Sequence, residues 1–143
     1  MKDVTAAIIL ENAQVLLTRR APGEKHAGGW EFPGGKVEAG ESPETCLHRE
    51  LLEELEIETA IGDKLTESIY TYETGAIRLL AYRATILSGA LRLHVHDEYR
   101  WVSMAELTQY KLLPADILIA EFLQKTAAQT PISQTQALHE RGK

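Results

Sequence analysis

The chain has a single cysteine, Cys46, among its 143 residues. It cannot form an internal disulfide, so the cytoplasm is the expected compartment. No apolar run approaches the roughly 18–20 residues that a membrane-spanning helix needs, so no membrane partner is expected. The short apolar stretch Ala6 to Leu10 stops at Glu11 with no small-residue cleavage site behind it, so a signal peptide is not expected. Positive charge is also scarce: 15 Lys and Arg stand against 21 Asp and Glu, a net charge of -6. Gripping a DNA duplex needs clustered cations, so no duplex nucleic acid partner is expected. An acidic chain can still handle a polyanion where a divalent metal inverts the local sign. Repeats and low-complexity tracts are absent as well.

What remains is ordinary globular material, 44% hydrophobic and 25% charged. A chain of this length buries roughly two-thirds of its unfolded surface and can hold a core as one domain. We read that domain as residues 1–128, followed by a polar tail over 129–143. Val4 to Leu10 and Gln14 to Thr18 predict a hairpin around the turn at Glu11-Asn12-Ala13. Arg19 to Gly29 reads as a loop, and Trp30-Glu31-Phe32 as a short extended piece. Ser42 suits a helix N-cap and Pro43 the first helical position, which predicts a helix to about Glu56. Strands are expected over Ile57 to Ile61, Leu65 to Thr71, Ala76 to Leu87 and Tyr99 to Ser103. Met104 to Tyr110 predicts a short helix. Ala115 to Ala127 predicts a closing one, with Ile117, Leu118, Ile119, Phe122 and Leu123 able to face the core. The expected class is α+β, with a mixed sheet.

Nine of the 21 carboxylates fall between Glu31 and Glu58. Three of them, Glu50, Glu53 and Glu54, stand at i, i+3 and i+4 and share one helix face. Leu51, Leu52 and Leu55 centre on the opposite side and can bury the helix. Like charges at this spacing repel, and oxygen ligands of this kind suit Mg²⁺ or Mn²⁺. The alternative is a solvated acidic face. A glycine-bearing loop, Gly34 to Glu41, feeds the helix and lets backbone carbonyls and amides approach a ligand. Arg49 stands beside the triad and could pin its carboxylates.

Gly35, five residues, Glu41, seven residues, Arg49-Glu50-Leu51, one residue, Glu53-Glu54, one residue, and Glu56-Ile57 resembles the Nudix box, G-x5-E-x7-R-E-U-x-E-E-x-G-U. Seven of the eight constrained positions after the first glycine match. Glu56 departs from the pattern: the family places there a glycine that ends the helix in a left-handed turn. Ala6 to Arg20, Trp30 to Lys36, Trp101-Val102 and Leu113-Pro114-Ala115-Asp116 are similar to the MutT-like branch. The similarity therefore covers about residues 3–125. It implies the Nudix fold, a mixed β-sheet sandwiched between helices (α/β/α). It also implies metal-dependent hydrolysis of a nucleoside triphosphate, such as 8-oxo-dGTP or CTP, to a monophosphate and pyrophosphate, and a link to DNA repair. The alternatives are an ADP-ribose or NADH-type pyrophosphatase, or a non-catalytic nucleotide sensor. The expected state is monomer or homodimer.

The resemblance also implies roles. Gly34 would offer a backbone carbonyl and Glu50, Glu53 and Glu54 carboxylates to the metal, Mg²⁺ or Mn²⁺. Glu50 would also orient or deprotonate the attacking water. Arg49 and Glu53 join it in the catalytic set, and Glu41 would orient Arg49. The branch has a further carboxylate where this chain has Val95, so Glu98, or else Asp97, is expected to supply that ligand. Arg20 would reach the substrate's phosphate and base, and Lys25 a phosphate. Glu31, Phe32, Pro33 and Gly34 would line the nucleotide site, and Asp116 would read a base edge that offers donors. His94 and His96 alternate as on a strand and are expected to share a face.

Overall fold

The computed structural model describes residues 1–129 of the 143-residue chain. Six strands form one mixed sheet that splays at its first hairpin. β1 (Lys2–Glu11) and β2 (Gln14–Arg20) pair antiparallel only beside their turn, at Leu10 with Val15 and Glu11 with Gln14. Beyond that the strands splay apart. β1 runs parallel to β5 (Gly75–Ser88), and β5 runs antiparallel to β4 (Glu58–Tyr72). β2 takes the short β3 (Trp30–Glu31) on one edge and β6 (His96–Ser103) on the other, both antiparallel.

Thr5 to Ile9 are buried without alternation, as expected of a central strand covered on both faces. Ala6 and Ile8 face one core, which holds Leu17, Phe32, Leu107 and Ile119. Ala7 and Ile9 face the other, which holds Leu16, Leu47, Leu51 and Leu55. Helix α1 (Pro43–Leu55) covers the second face and α2 (Pro114–Gln129) the first. This is the expected α/β/α sandwich. A 3-10 turn, Met104–Gln109, leads towards α2.

α1 starts where the sequence predicts. Ser42 is the N-cap and its hydroxyl accepts the Thr45 N–H at 3.1 Å, with Pro43 in the first turn. Its end keeps the left-handed cap without the glycine. Glu56 adopts φ 57° and ψ 38°, donates its N–H to the Leu52 carbonyl at 3.1 Å, and meets His94 Nε2 with its carboxylate at 2.6 Å.

Several expectations need correction. The two strands read over 57–71 are one continuous β4, whose register shifts between Ile61 and Thr66 absorb the polar Gly62-Asp63 step. Leu52 is 43% exposed; the buried stripe of α1 is Cys46, Leu47, Leu51 and Leu55. On α2 the buried apolar residues are Ala115, Ile119, Ala120 and Leu123, while Ile117, Leu118 and Phe122 turn outward. α2 runs through Gln129, and the rest of the expected tail, 130–143, lies outside the described residues.

Candidate active site

The splay between β1 and β2 opens an edge of β1 that the segment after Phe32 fills. Ala7 donates its N–H to the Pro33 carbonyl at 2.7 Å, Thr5 to the Gly35 carbonyl at 2.7 Å, and Val37 to the Asp3 carbonyl at 3.0 Å. The Gly34 carbonyl takes no part in this pairing. The Thr5 hydroxyl grips Gly35 twice, donating to its carbonyl at 2.9 Å and accepting its N–H at 3.3 Å. Both glycines are required by close approach rather than by backbone freedom. A Cβ on Gly34 would stand 2.0 Å from the Thr5 carbonyl oxygen, and one on Gly35 2.3 Å from the Glu50 carboxyl.

Helix α1 therefore lies with its acidic face under this loop. Arg49 is the hub of that face. Its Nε and Nη2 donate to the two Glu41 oxygens at 2.7 and 2.9 Å, and its Nη1 donates to Glu50 at 2.7 Å and Glu53 at 3.0 Å. The forked pair to Arg49, together with the Glu38 N–H, holds the Glu41 carboxyl down at about 2. Glu54 has no such partner. Burial, then the neighbouring Glu50 and Glu31 charges, push its pKa up to about 8. Its Oε1 is buried without a hydrogen-bond partner among the described residues.

That unpaired oxygen fits a divalent cation, as does the rest of the donor set. Glu50, Glu54 and the Gly34 carbonyl offer hard oxygens from both walls of the groove, and the excess negative charge calls for a counter-ion. Glu53 is more exposed and tied to Arg49. Among the described residues no three acidic, histidine or cysteine side chains are already gathered into a cage. The donors therefore suit an ion whose coordination shell is shared with water and phosphate oxygens.

Beside this face lies a cavity of about 390 Å³, whose lining includes Gly34, Tyr72 and Leu113. Arg20, Lys25, Glu31, Phe32, Gly34 and Asp116, all expected there, line it; Pro33, also expected, does not, and its carbonyl is instead taken up by the Ala7 N–H. Asp116 is buried in the first turn of α2 and accepts the Phe32 N–H at 3.0 Å, which ties that helix to the loop. Burial and the Glu31 charge raise its pKa well above the ordinary carboxylate range. Glu31 is occupied by protein partners. Its Oε1 accepts from Arg20 Nη2 at 3.2 Å, and its Oε2 lies 2.9 Å from His96 Nε2.

Other expected residues fall elsewhere. Glu98 stands opposite Arg19, paired with Arg19 at 3.2 Å and with Arg100, and does not join the α1 carboxylates. Asp97 also pairs with Arg19, at 2.8 Å. A bulge between Arg19 and Arg20 puts Glu98 on the Arg19 side of the strand and His96 on the Arg20 side. His94 and His96 do not share a face: the first caps Glu56 near the surface, and the second is buried on Glu31. Sequence reasoning missed Thr5, whose hydroxyl gives no signal within an apolar run. It also missed Tyr72, whose hydroxyl accepts the Ala115 N–H at 3.1 Å at the start of α2.

The NUDIX domain model matches residues 1–125 of this chain. A CTP pyrophosphohydrolase of Escherichia coli (strain K12) is 39% identical over 131 residues, spanning 92% of this chain and 97% of its own length. An 8-oxo-dGTP diphosphatase of Haemophilus influenzae is 38% identical over 127 residues, 87% of this chain and 93% of its own. The solution structure of the E. coli ORF135 protein superposes with a TM-score of 0.80 at 38% identity, covering 92% of this chain and 94% of that one. Nudix hydrolases are generally dependent on a divalent metal. No helix among the described residues is long and apolar enough to cross a membrane. With the box on α1, the glycine loop locked to β1 and relatives matched over nearly their whole length, the chain belongs to the Nudix family, in its MutT-like branch, and is a hydrolase of phosphoanhydride bonds.

Proposed function

We propose that the chain hydrolyses a nucleoside triphosphate of the CTP or 8-oxo-dGTP kind to a nucleoside monophosphate and pyrophosphate, and that it does so in the cytoplasm. The observation that carries this reading is the adjacency of two unlike compartments. One is a carboxylate face on which Glu50 is held by Arg49 while Glu54 beside it has no cation partner among the described residues, and the other is a cavity of nucleoside size lined by Asp116. The activities for which the two relatives are named support the same substrate class.

Glu50, Glu53, Glu54 and the Gly34 carbonyl would hold Mg²⁺, with Mn²⁺ as the alternative. The bound ion supplies charge neutralisation on the phosphates and lowers the pKa of water. The chain's own residues do the rest. Arg49 steadies Glu50 at 2.7 Å, so that Glu50 can orient the attacking water and take its proton. Arg20 and Lys25 bring positive charge to the cavity and bind phosphate oxygens. Phe32 presents its backbone beside the base, and Asp116 reads the edge of that base. An ionised Asp116 only accepts; once protonated it can also donate. Both forms suit the mixed edges of cytosine and of an oxidised guanine.

A nucleotide panel tests the reading. Purified protein with Mg²⁺ should turn over CTP or 8-oxo-dGTP faster than ADP-ribose or NADH, releasing pyrophosphate and monophosphate. Release of orthophosphate and a nucleoside diphosphate, or preferred turnover of ADP-ribose, would contradict it.

A further inference from the structure

We infer that His96 is a positioning residue that sets the orientation of Arg20 through Glu31. The inference rests on the reading of Arg20 as a substrate contact. The three residues come from three strands: Arg20 ends β2, Glu31 ends β3 and His96 begins β6. The register pairs Arg19 with Glu98 and Arg20 with His96, so Asp97 is the extra residue of the bulge. Without that bulge Asp97 would face Arg20, and an acid would stand where the imidazole now stands. The bulge thus selects His96 for the interior, where its side chain is wholly buried.

The arrangement is a relay of orientation. His96 Nε2 lies 2.9 Å from Glu31 Oε2, and since a carboxylate only accepts, this nitrogen carries the proton. Among the described residues His96 Nδ1 is buried with no hydrogen-bond partner, and Nε2 is the ring's one hydrogen-bonded anchor. Glu31 Oε1 then accepts from Arg20 Nη2 at 3.2 Å. Arg20 Nε stands 3.0 Å from Glu31 Oε2, yet its N–H has no directed partner. One directed bond therefore fixes the guanidinium, and its plane follows the plane of the Glu31 carboxylate. Glu54 and Asp116 also attract Arg20. A Glu31 free to rotate would release the guanidinium towards those carboxylates and away from the incoming phosphate. Arg20 and Glu31 line the cavity and His96 does not, so His96 acts on substrate only through them.

The test is steady-state kinetics with Mg²⁺ on whichever of CTP and 8-oxo-dGTP the wild-type protein turns over faster. His96→Phe keeps a ring and removes the donor. It should raise KM about tenfold and leave kcat within about twofold. His96→Gln, whose amide can still donate to Glu31, should bring KM back to within about threefold of wild type. Arg20→Ala should raise KM at least as much as His96→Phe, and adding His96→Phe in that background should change KM no further. An unchanged KM in His96→Phe beside a raised KM in Arg20→Ala overturns the inference and leaves the reading of Arg20 standing. So does an undiminished effect of His96→Phe in the Arg20→Ala background, which would mark a purely structural role. An unchanged KM in Arg20→Ala overturns both. Should His96→Phe not fold, Glu31→Gln carries the test: it keeps the shape but drops the charge that holds Arg20, and an unchanged KM there equally overturns the inference.

Discussion

Gly34 and Gly35 are neighbours, yet the missing Cβ serves two different ends. At Gly34 it lets backbone meet backbone: the added atom would stand 2.0 Å from the Thr5 carbonyl oxygen, and neither strand can yield. Gly34→Ala should cost at least about 2 kcal/mol of stability, read as a lower midpoint in chemical denaturation. At Gly35 the obstructed atoms are the end of the Glu50 side chain, which can swing aside. Gly35→Ala should therefore keep most of its stability but lose roughly 10- to 100-fold in kcat, because Glu50 is displaced. Equal stability losses in the two variants would contradict this division. Asp116 belongs to the same scale. Removing a buried group that pairs with the base typically costs about 1–3 kcal/mol, roughly 5- to 150-fold in kcat/KM. Asp116→Ala should lose that factor on cytosine- and guanine-type triphosphates and spare uracil and thymine analogues. Glu50→Gln should depress all of them alike. A uniform drop across the panel in Asp116→Ala would reduce Asp116 to its structural bond with the Phe32 N–H.

Among the elements, α1 is the most legible in the amino-acid sequence. Ser42 and Pro43 mark its start, and the 3-4 spacing of its glutamates marks its outer face. Its less legible features depend on what packs against it. Leu52 is apolar but lies off the buried stripe, because β1, β4 and β5 meet the helix along Leu47, Leu51 and Leu55. The outward residues of α2 are hard to read for the same reason: a helix that is apolar on several sides carries no sign of which side faces the sheet. Strand ends are hardest. A bulge has no composition signal, so nothing in His94 to Glu98 distinguishes the inward His96 from the outward Glu98. Glu56 offers a test at this scale. It holds the left-handed cap position at φ 57°, where glycine avoids a penalty of about 1–2 kcal/mol, while its exposed contact with His94 is worth little. Glu56→Gly should raise the melting temperature by a few degrees, and a fall would show that the His94 contact outweighs the backbone strain.

For the whole molecule, the buried carboxyls set an expected pH profile. Folding raises the pKa of Glu54 to about 8 and shifts Asp116 upward too. The folded state therefore holds these protons more tightly than the unfolded one. Their stabilising effect is complete below the ordinary carboxylate value and is lost as pH climbs towards 8. Glu41 has the opposite sign: held down at about 2 by Arg49, it stabilises above its ordinary value and stops doing so as pH falls towards 2. The metal-free protein should thus melt highest near about pH 5 and progressively lower up to about pH 8. On the proposed metal site, Mg²⁺ would compete with the proton at Glu54, so it should raise the melting temperature more at the alkaline end, and more still with a nucleotide present. A metal-free melting temperature that climbs steadily between those two pH values would contradict this account of the interior.

On the proposed function the carboxylate face of α1 performs the hydrolysis, and Glu54 is its most exacting member because partners among the described residues leave its Oε1 unpaired. The most direct measurement is the turnover of Glu54→Gln on the best nucleoside triphosphate across a Mg²⁺ titration, with the melting temperature of the same sample recorded without metal. Glutamine keeps the shape, removes the charge and relieves repulsion from Glu50 and Glu31. The account predicts a kcat lower by at least about 100-fold at every Mg²⁺ concentration, with a melting temperature equal to or above that of the wild type. Near wild-type turnover at saturating Mg²⁺ would contradict it.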